Sequence, residues 1–370
     1  MALAAPTAAS SKQLAGAPVP YGFVGVNLDG PPITPQDNVA LAQQLGMMRS
    51  SGVQSVRVQF SWAGAQPYAS WSDVPPAQQG GFVSGAGNVP TDFSATDQIV
   101  ALAAARGLRV LPTVIYAPGW DAITNPKGLA RPRDDGPYGE FLTTLIGRYG
   151  PNGSFWTDNP AIPAHPIREW QVWNEPEIAG FWPTSQWAPS YVALLRVADA
   201  AIKTADPGAK VVLGGLTDYS WLELAVIYAL PDTKGLFDIV DVHPYTGTPV
   251  GVVSIIRFVR REIQRAHDSN KPIIVGETSF TSSLGRTRHL YAWETTPRGQ
   301  AKRVSTLLPL LAAARRSLRI AGFYWYTWMG DESVASSSWN FCGLLAYRNG
   351  QIIDKPALTA FQRTAAALER

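Results

Sequence analysis

The sequence predicts an α/β fold, a single (β/α)8 barrel of the TIM type. Three observations carry that prediction. Eight short runs rich in β-branched and aromatic residues alternate with segments whose apolar residues recur every three to four positions. The strand runs are nearly continuous in apolar residues, as strands covered on both faces are. Removing the first 20 of 370 residues leaves 350, enough for eight strand–helix repeats.

Residues 1–20 are small, polar or proline-bearing and lack periodicity, so they read as a flexible leader to a catalytic domain over 21–370. The leader has neither the basic start nor the long apolar stretch of a secretory signal, although its Ala-rich opening slightly favours an exported protein over a cytoplasmic one. Strands are expected at 21–28 (YGFVGVNL), 55–62 (SVRVQFSW), 108–116 (LRVLPTVIY) and 169–174 (EWQVWN). The other four are expected at 210–216 (KVVLGGL), 237–245 (FDIVDVHPY), 272–277 (PIIVGE) and 320–328 (IAGFYWYTW). Helical spacing fills the intervals at 38–48, 93–106, 138–149, 187–205, 252–267, 300–318 and 356–368, with a shorter helix at 221–229. The glycines in SGVQSV, ARGLRV and DPGAKV suit left-handed helix stops ahead of the next strand. Long connections at 63–91, 118–137 and 150–166 suggest the walls of a cleft. An open doubly wound sheet would carry a Gly-rich phosphate loop after the first strand, and NLDGPPITP is not one.

Composition removes several function classes. Net charge is +3 and no Lys/Arg block forms a stripe, so nothing points to nucleic acid. Mean hydropathy is −0.04, without an apolar run near the roughly 18 residues of a membrane span. The single cysteine, Cys342, rules out an internal disulfide and a cysteine-based zinc site. The four histidines (165, 243, 267 and 289) lack metal-ligand spacing, so neither metal nor cofactor is expected. Thirteen tryptophans suit either a large core or a cleft that stacks on sugar faces.

The chemistry gathers at strand ends. The fourth strand finishes in Trp173-Asn174-Glu175-Pro176-Glu177 and the seventh in Gly276-Glu277-Thr278. Strands four and seven lie across the barrel from one another, so both carboxylates reach one rim. That is the pairing glycosidic cleavage requires: a proton donor for the leaving oxygen and an anion for the oxocarbenium centre. Arg57 stands inside an apolar strand, where a guanidinium demands an anion. Glu169 and Glu177 read as surface or supporting carboxylates, and Asp29 as either a turn residue or a sugar contact.

Trp173-Asn174-Glu175-Pro176 followed by Val275-Gly276-Glu277-Thr278 resembles the clan A glycoside hydrolases, retaining enzymes with catalytic glutamates on strands four and seven. In detail the stretch 148–177 (RYGPNGSFW to PIREWQVWNEPE) is most similar to the family 39 group of bacterial enzymes. The resemblance implies Glu175 as general acid/base, Glu277 as nucleophile, and Asn174 as a ligand of the sugar 2-hydroxyl. It further implies Arg57 as support for the nucleophile, with Tyr245 beside the nucleophile and His243 near the acid/base or substrate. A strand-eight tryptophan would floor the sugar subsite. Trp325 and Trp328 are the candidates, pointing oppositely if the strand is regular, and the reading favours Trp325. Trp62, Trp120 and Trp182 line a cleft or anchor loops, while Trp173 fills the barrel.

The function implied is hydrolysis of β-type glycosidic bonds in carbohydrates by double displacement. A transglycosylase would share every site residue. A silent carbohydrate-binding barrel should have lost a glutamate or Arg57, and a Schiff-base aldolase needs a lysine inside a strand; this sequence has all three residues and no such lysine.

Overall fold

The computed structural model describes residues 18–124, 130–217, 219–287, 293–334 and 336–369. Of the expected leader, 1–17 lies outside the described residues. Val19 is buried and donates to the Leu368 carbonyl at 3.0 Å.

Eight parallel strands form the barrel: β1 (Val24–Asn27), β2 (Ser55–Ser61), β3 (Arg109–Ile115), β4 (Glu169–Val172), β5 (Lys210–Val212), β6 (Val240–Val242), β7 (Ile273–Thr278) and β8 (Ile320–Trp325). Hydrogen-bonded ladders run in the order β6-β7-β8-β1-β2-β3-β4-β5. The ring closes between β5 and β6 through two parallel bridges, Val212 with Ile239 and Leu216 with Val242. All eight expected strands are present in order, several of them shorter than their apolar runs.

Helices follow the strands: α1 (Leu41–Ser50), α2 (Ser94–Ala104), α3 (Asp135–Tyr149), α4 (Trp187–Ala205), α5 (Ser220–Tyr228), α6 (Pro249–Arg265), α7 (Pro297–Leu318) and α8 (Pro356–Leu368). Their starts are written locally. Thr248 and Thr296 each cap a helix that opens on proline, their hydroxyls accepting from Gly251 and Gly299 N–H. Gly52 (φ +87°) and Gly107 (φ +67°) provide the expected left-handed exits. The third expected stop differs: α4 ends at Ala205, and the turn is held by the Asp206 carboxylate accepting Gly208 N–H at 2.9 Å.

Beyond β8 the chain adds a small sheet the periodicity did not announce, β9 (Met329–Asp331), β10 (Leu345–Arg348) and β11 (Gln351–Asp354). β10 and β11 form a two-residue hairpin at Asn349-Gly350, both at positive φ. Among the described residues no helix is long and apolar enough to cross a membrane.

The barrel interior changes character along its axis. Its lower end is apolar, with Leu111, Val212, Ile239, Ile274 and Tyr324 in one cluster. Near the C-terminal ends of the strands the buried side chains are Asn27, Arg57, Thr113, Gln171 and Asp241. Such a polar layer survives burial only when its donors and acceptors are paired. The pairs found here also position the site above it.

Candidate active site

Arg57 is the hub of that layer, nearly enclosed on β2. Its Nε donates to Gln171 Oε1 at 2.7 Å, one Nη to Asn27 Oδ1 at 2.8 Å and to Glu277 Oε1 at 2.6 Å, and the other Nη to Asn174 Oδ1 at 2.6 Å. Neighbours close the network. Gln171 donates to Asp241 Oδ2 at 2.5 Å, Asp241 Oδ1 accepts Gly276 N–H at 2.6 Å, and Asn27 donates to the Gly276 carbonyl at 2.8 Å.

Glu277, the penultimate residue of β7, accepts from Arg57 on one oxygen and from the Tyr245 hydroxyl on the other, at 2.8 Å. Burial pulls its pKa up, but the charges of His243 and Arg57, with the hydrogen bonds from Tyr245 and Arg57, hold it below the usual carboxylate value.

Glu175 arrives by a different route. β4 ends at Val172, and the next residues abandon strand geometry: Trp173 has φ +68° and Glu175 φ +44°. Left-handed conformations in non-glycine residues cost about 1–3 kcal/mol each and persist only where neighbours fix them. Here Trp173 N–H donates to the Val114 carbonyl, its indole to the Phe181 carbonyl, and Glu175 N–H to the Gly215 carbonyl, each at 3.1 Å. The carboxyl thus swings to His243, whose Nδ1 lies 2.7 Å from Glu175 Oε1. Burial is the main influence on Glu175 and raises its pKa, with the Glu277 charge acting in the same direction and His243 and Arg57 opposing.

Glu175, His243 and Glu277 each place an atom within 4.8 Å of the others. That spacing can hold a cation. However, Arg57 is already bonded to Glu277 as its countercharge, so the arrangement is that of an ion-pair network rather than of a metal centre.

The structure therefore brings together Arg57, Asn174, Glu175, His243, Tyr245 and Glu277. It corrects the aromatic floor. Trp325 and Trp328 are fully enclosed, their indoles donating to the Cys342 carbonyl at 3.1 Å and to Gln44 Oε1 at 2.9 Å, so neither offers a ring face to a sugar. β8 stops at Trp325, and the accessible aromatic is Tyr326 between them, which donates to Asp29 Oδ2 at 2.9 Å. Trp339, 40% exposed, stands edge-on to Tyr245 with ring centres 4.8 Å apart. Trp293 and Tyr326 pack against it at 4.8 and 5.8 Å. Asp29 is a turn residue whose Oδ1 accepts Gly30 N–H and whose Oδ2 accepts from the Tyr326 hydroxyl.

Buried Trp62 and Trp182 anchor loops. Trp182 is buried against Trp173 with its indole on Ser190 Oγ, correcting its place among the substrate contacts. Trp120 is half-buried, edge-on to buried Trp62, and donates to the Gln66 carbonyl. Glu177 is a supporting carboxylate that accepts Thr217 N–H at 2.6 Å. Cys342 is buried at the end of the short 3-10 helix that carries Trp339. Of the histidines, His289 lies outside the described residues.

No family model matches the sequence, and no curated protein matches it. Solved structures do. One is a family 39 glycoside hydrolase from the gut symbiont Bacteroides cellulosilyticus, with TM-score 0.65, 17% identity, and coverage of 94% of this chain and 64% of that one. A second is a family 39 β-xylosidase from Caulobacter crescentus, at TM-score 0.66 and 19% identity over 96% of this chain and 73% of that one. The catalytic domain of a family 53 enzyme from Ignisphaera aggregans matches at TM-score 0.60 and 21% identity, over 94% of this chain and 97% of that one. The chain spans less than two thirds of the length of the first of these. What they establish is the fold: this chain, like them, is a (β/α)8 barrel.

Proposed function

We propose that residues 21–370 form a retaining glycoside hydrolase that cleaves β-glycosidic bonds of oligosaccharides, polysaccharides or simple glycosides by double displacement. The observation that carries this reading is the approach of one carboxylate oxygen of Glu175 to one of Glu277 within 4.8 Å. Retaining pairs stand about 5–5.5 Å apart, whereas inverting pairs leave roughly 6.5–9.5 Å for a water molecule.

The electrostatics support the same division of labour. Glu277, held anionic by His243, Arg57 and Tyr245, attacks the anomeric carbon as the glycosidic C–O bond breaks and Glu175 gives its proton to the departing oxygen. The covalent glycosyl ester is then opened by water. Glu175, now the base, takes the water's proton and returns to its acid form, and the sugar leaves with net retention. Asn174 presents its amide N–H to the 2-hydroxyl while its oxygen stays on Arg57. Tyr326 and Trp339 supply the accessible rings for the apolar sugar face.

Proton NMR of the first product from an aryl β-glycoside is expected to show the β-anomer, with the α form appearing only by mutarotation. An initial α-anomer would sink the retaining mechanism.

The kcat/KM profile is expected to be bell-shaped. Loss of the Glu277 anion sets its acid limb, below the ordinary carboxylate range because that pKa is lowered. Loss of the Glu175 proton sets its alkaline limb, above that range because that pKa is raised. An alkaline limb at or below the ordinary carboxylate range would contradict the assignment.

A further inference from the structure

The geometry assigns Asp241 as a positioning residue that keeps His243 a charged imidazolium, so that His243 can only donate to Glu175 and never take its proton. The assignment rests on the reading of Glu175 as acid/base. Asp241 and His243 are two residues apart on β6 and its exit, hence on one face, and both are fully buried. His243 Nε2 stands 3.6 Å from Asp241 Oδ2, while Nδ1, across the ring, meets Glu175 Oε1 at 2.7 Å. One imidazole therefore stands between two carboxylates, hydrogen-bonded to Glu175 through Nδ1 and within Coulomb range of Asp241 at Nε2. Asp241 is itself fixed by Gly276 N–H and Gln171 Nε2.

The space for this stack is kept by two glycines. A Cβ on Gly215 would fall 1.9 Å from His243 Nε2, and one on Gly276 would fall 2.1 Å from Asp241 Oδ2.

The groups that face His243 come from every neighbouring strand. Glu175 approaches from the end of β4, and Glu277 Oε2 from β7 at 3.8 Å. Arg57 on β2 lies 3.9 Å from Asp241, and Tyr245, next along from β6, donates to Glu277. The β5 side presents Gly215 and Gly214, whose N–H donates to the Tyr191 hydroxyl. Burial works against the imidazolium, but Glu277, Asp241 and Glu175 outweigh it and push the pKa up to about 10.

The consequence is chemical. A neutral imidazole with a lone pair on Nδ1 would accept the Glu175 proton across 2.7 Å, and the acid would be spent before reaching substrate. A ring protonated on both nitrogens donates to Oε1 and confines the acidic proton to Oε2. Asp241 thus acts through His243 and touches no reacting atom.

The test uses the full chain with histidine labelled at the ring Cε1 and followed by NMR over pH. The His243 signal is identified by its loss in His243→Gln. In wild type, His243 is expected to stay protonated past pH 9. In Asp241→Asn its midpoint should fall by about one to three pH units, the Coulomb effect of one charge near 4 Å at an effective dielectric constant near 20. The variant should also lose roughly ten- to a hundredfold in kcat/KM on phenyl glycosides, which need the acid, and little on dinitrophenyl glycosides, which do not.

A neutral His243 at pH 7 in wild type overturns the assignment, even if Asp241→Asn fails to fold. So does an unmoved midpoint, or an equal loss on both leaving groups. A wild-type chain that cleaves no glycoside would end the hydrolase reading separately, because the His243 titration is read without substrate.

Discussion

Glu277→Ala is expected to lower kcat on an aryl β-glycoside by roughly 10⁴-fold or more, the scale seen when a nucleophile that acts within a coupled unit is removed. Its side-chain hydrogen-bond partners among the described residues, Tyr245 and Arg57, are donors to it and do not replace its carboxylate. Glu175→Ala should cost about 10²–10⁴-fold, the range of general acid–base help, and least with the best leaving groups. Azide separates the two roles. In Glu175→Ala it should attack the glycosyl ester and give a β-glycosyl azide. In Glu277→Ala it should enter the vacated space and displace the aglycone directly, giving the α-azide. Unchanged turnover in either variant, or the same azide anomer from both, would refute the assignment of the two carboxylates.

Arg57→Ala is the second large effect. The side chain donates four hydrogen bonds into the polar layer, to Gln171, Asn27, Asn174 and Glu277, and its Nε lies 3.9 Å from Asp241. Removing one partner of a buried ion pair strands the other, at a cost of about 3–5 kcal/mol. Glu277 would then lose one of the two charges that hold it anionic, so its pKa should rise and the acid limb of kcat/KM should move to higher pH. We expect a fall in kcat/KM of at least about a hundredfold together with a lower Tm. Arg57→Lys should recover part of the charge effect but not the geometry, because an ammonium cannot reproduce the guanidinium fork. If Arg57→Ala melted earlier yet kept its rate and its pH profile, Arg57 would be structural only.

Most of the barrel was legible because both of its periods are strong. Strand runs such as SVRVQF and PIIVGE are bounded by polar or helical segments, and their order alone fixes which ends share a rim. That is why the sequence alone pairs Glu175 with Glu277. The hairpin sheet β9–β11 was missed although Asn349-Gly350 is a strong two-residue turn signal, because it follows the eighth strand, where the repeat was already complete.

The aromatic floor failed for a specific reason. Choosing between Trp325 and Trp328 assumed two-residue alternation past the end of β8, but the strand stops at Trp325 and the chain turns. Tyr326 had no claim under that assumption. Trp339 carries no periodic signal, being a loop residue brought over Tyr245 by tertiary packing. Asp241 did leave a trace, an acid inside the apolar run FDIVDV, and the question raised for Arg57 applies equally to it.

The sealed cysteine gives the molecule a built-in reporter. Cys342 is the sole thiol, fully enclosed, and burial pushes its pKa up to about 12, so alkylating reagents meet neither access nor thiolate in the closed barrel. Its backbone carbonyl receives the Trp325 indole, and its loop bears Trp339. The alkylation rate of the unmodified protein therefore measures how often the packing around the exit of β8 opens.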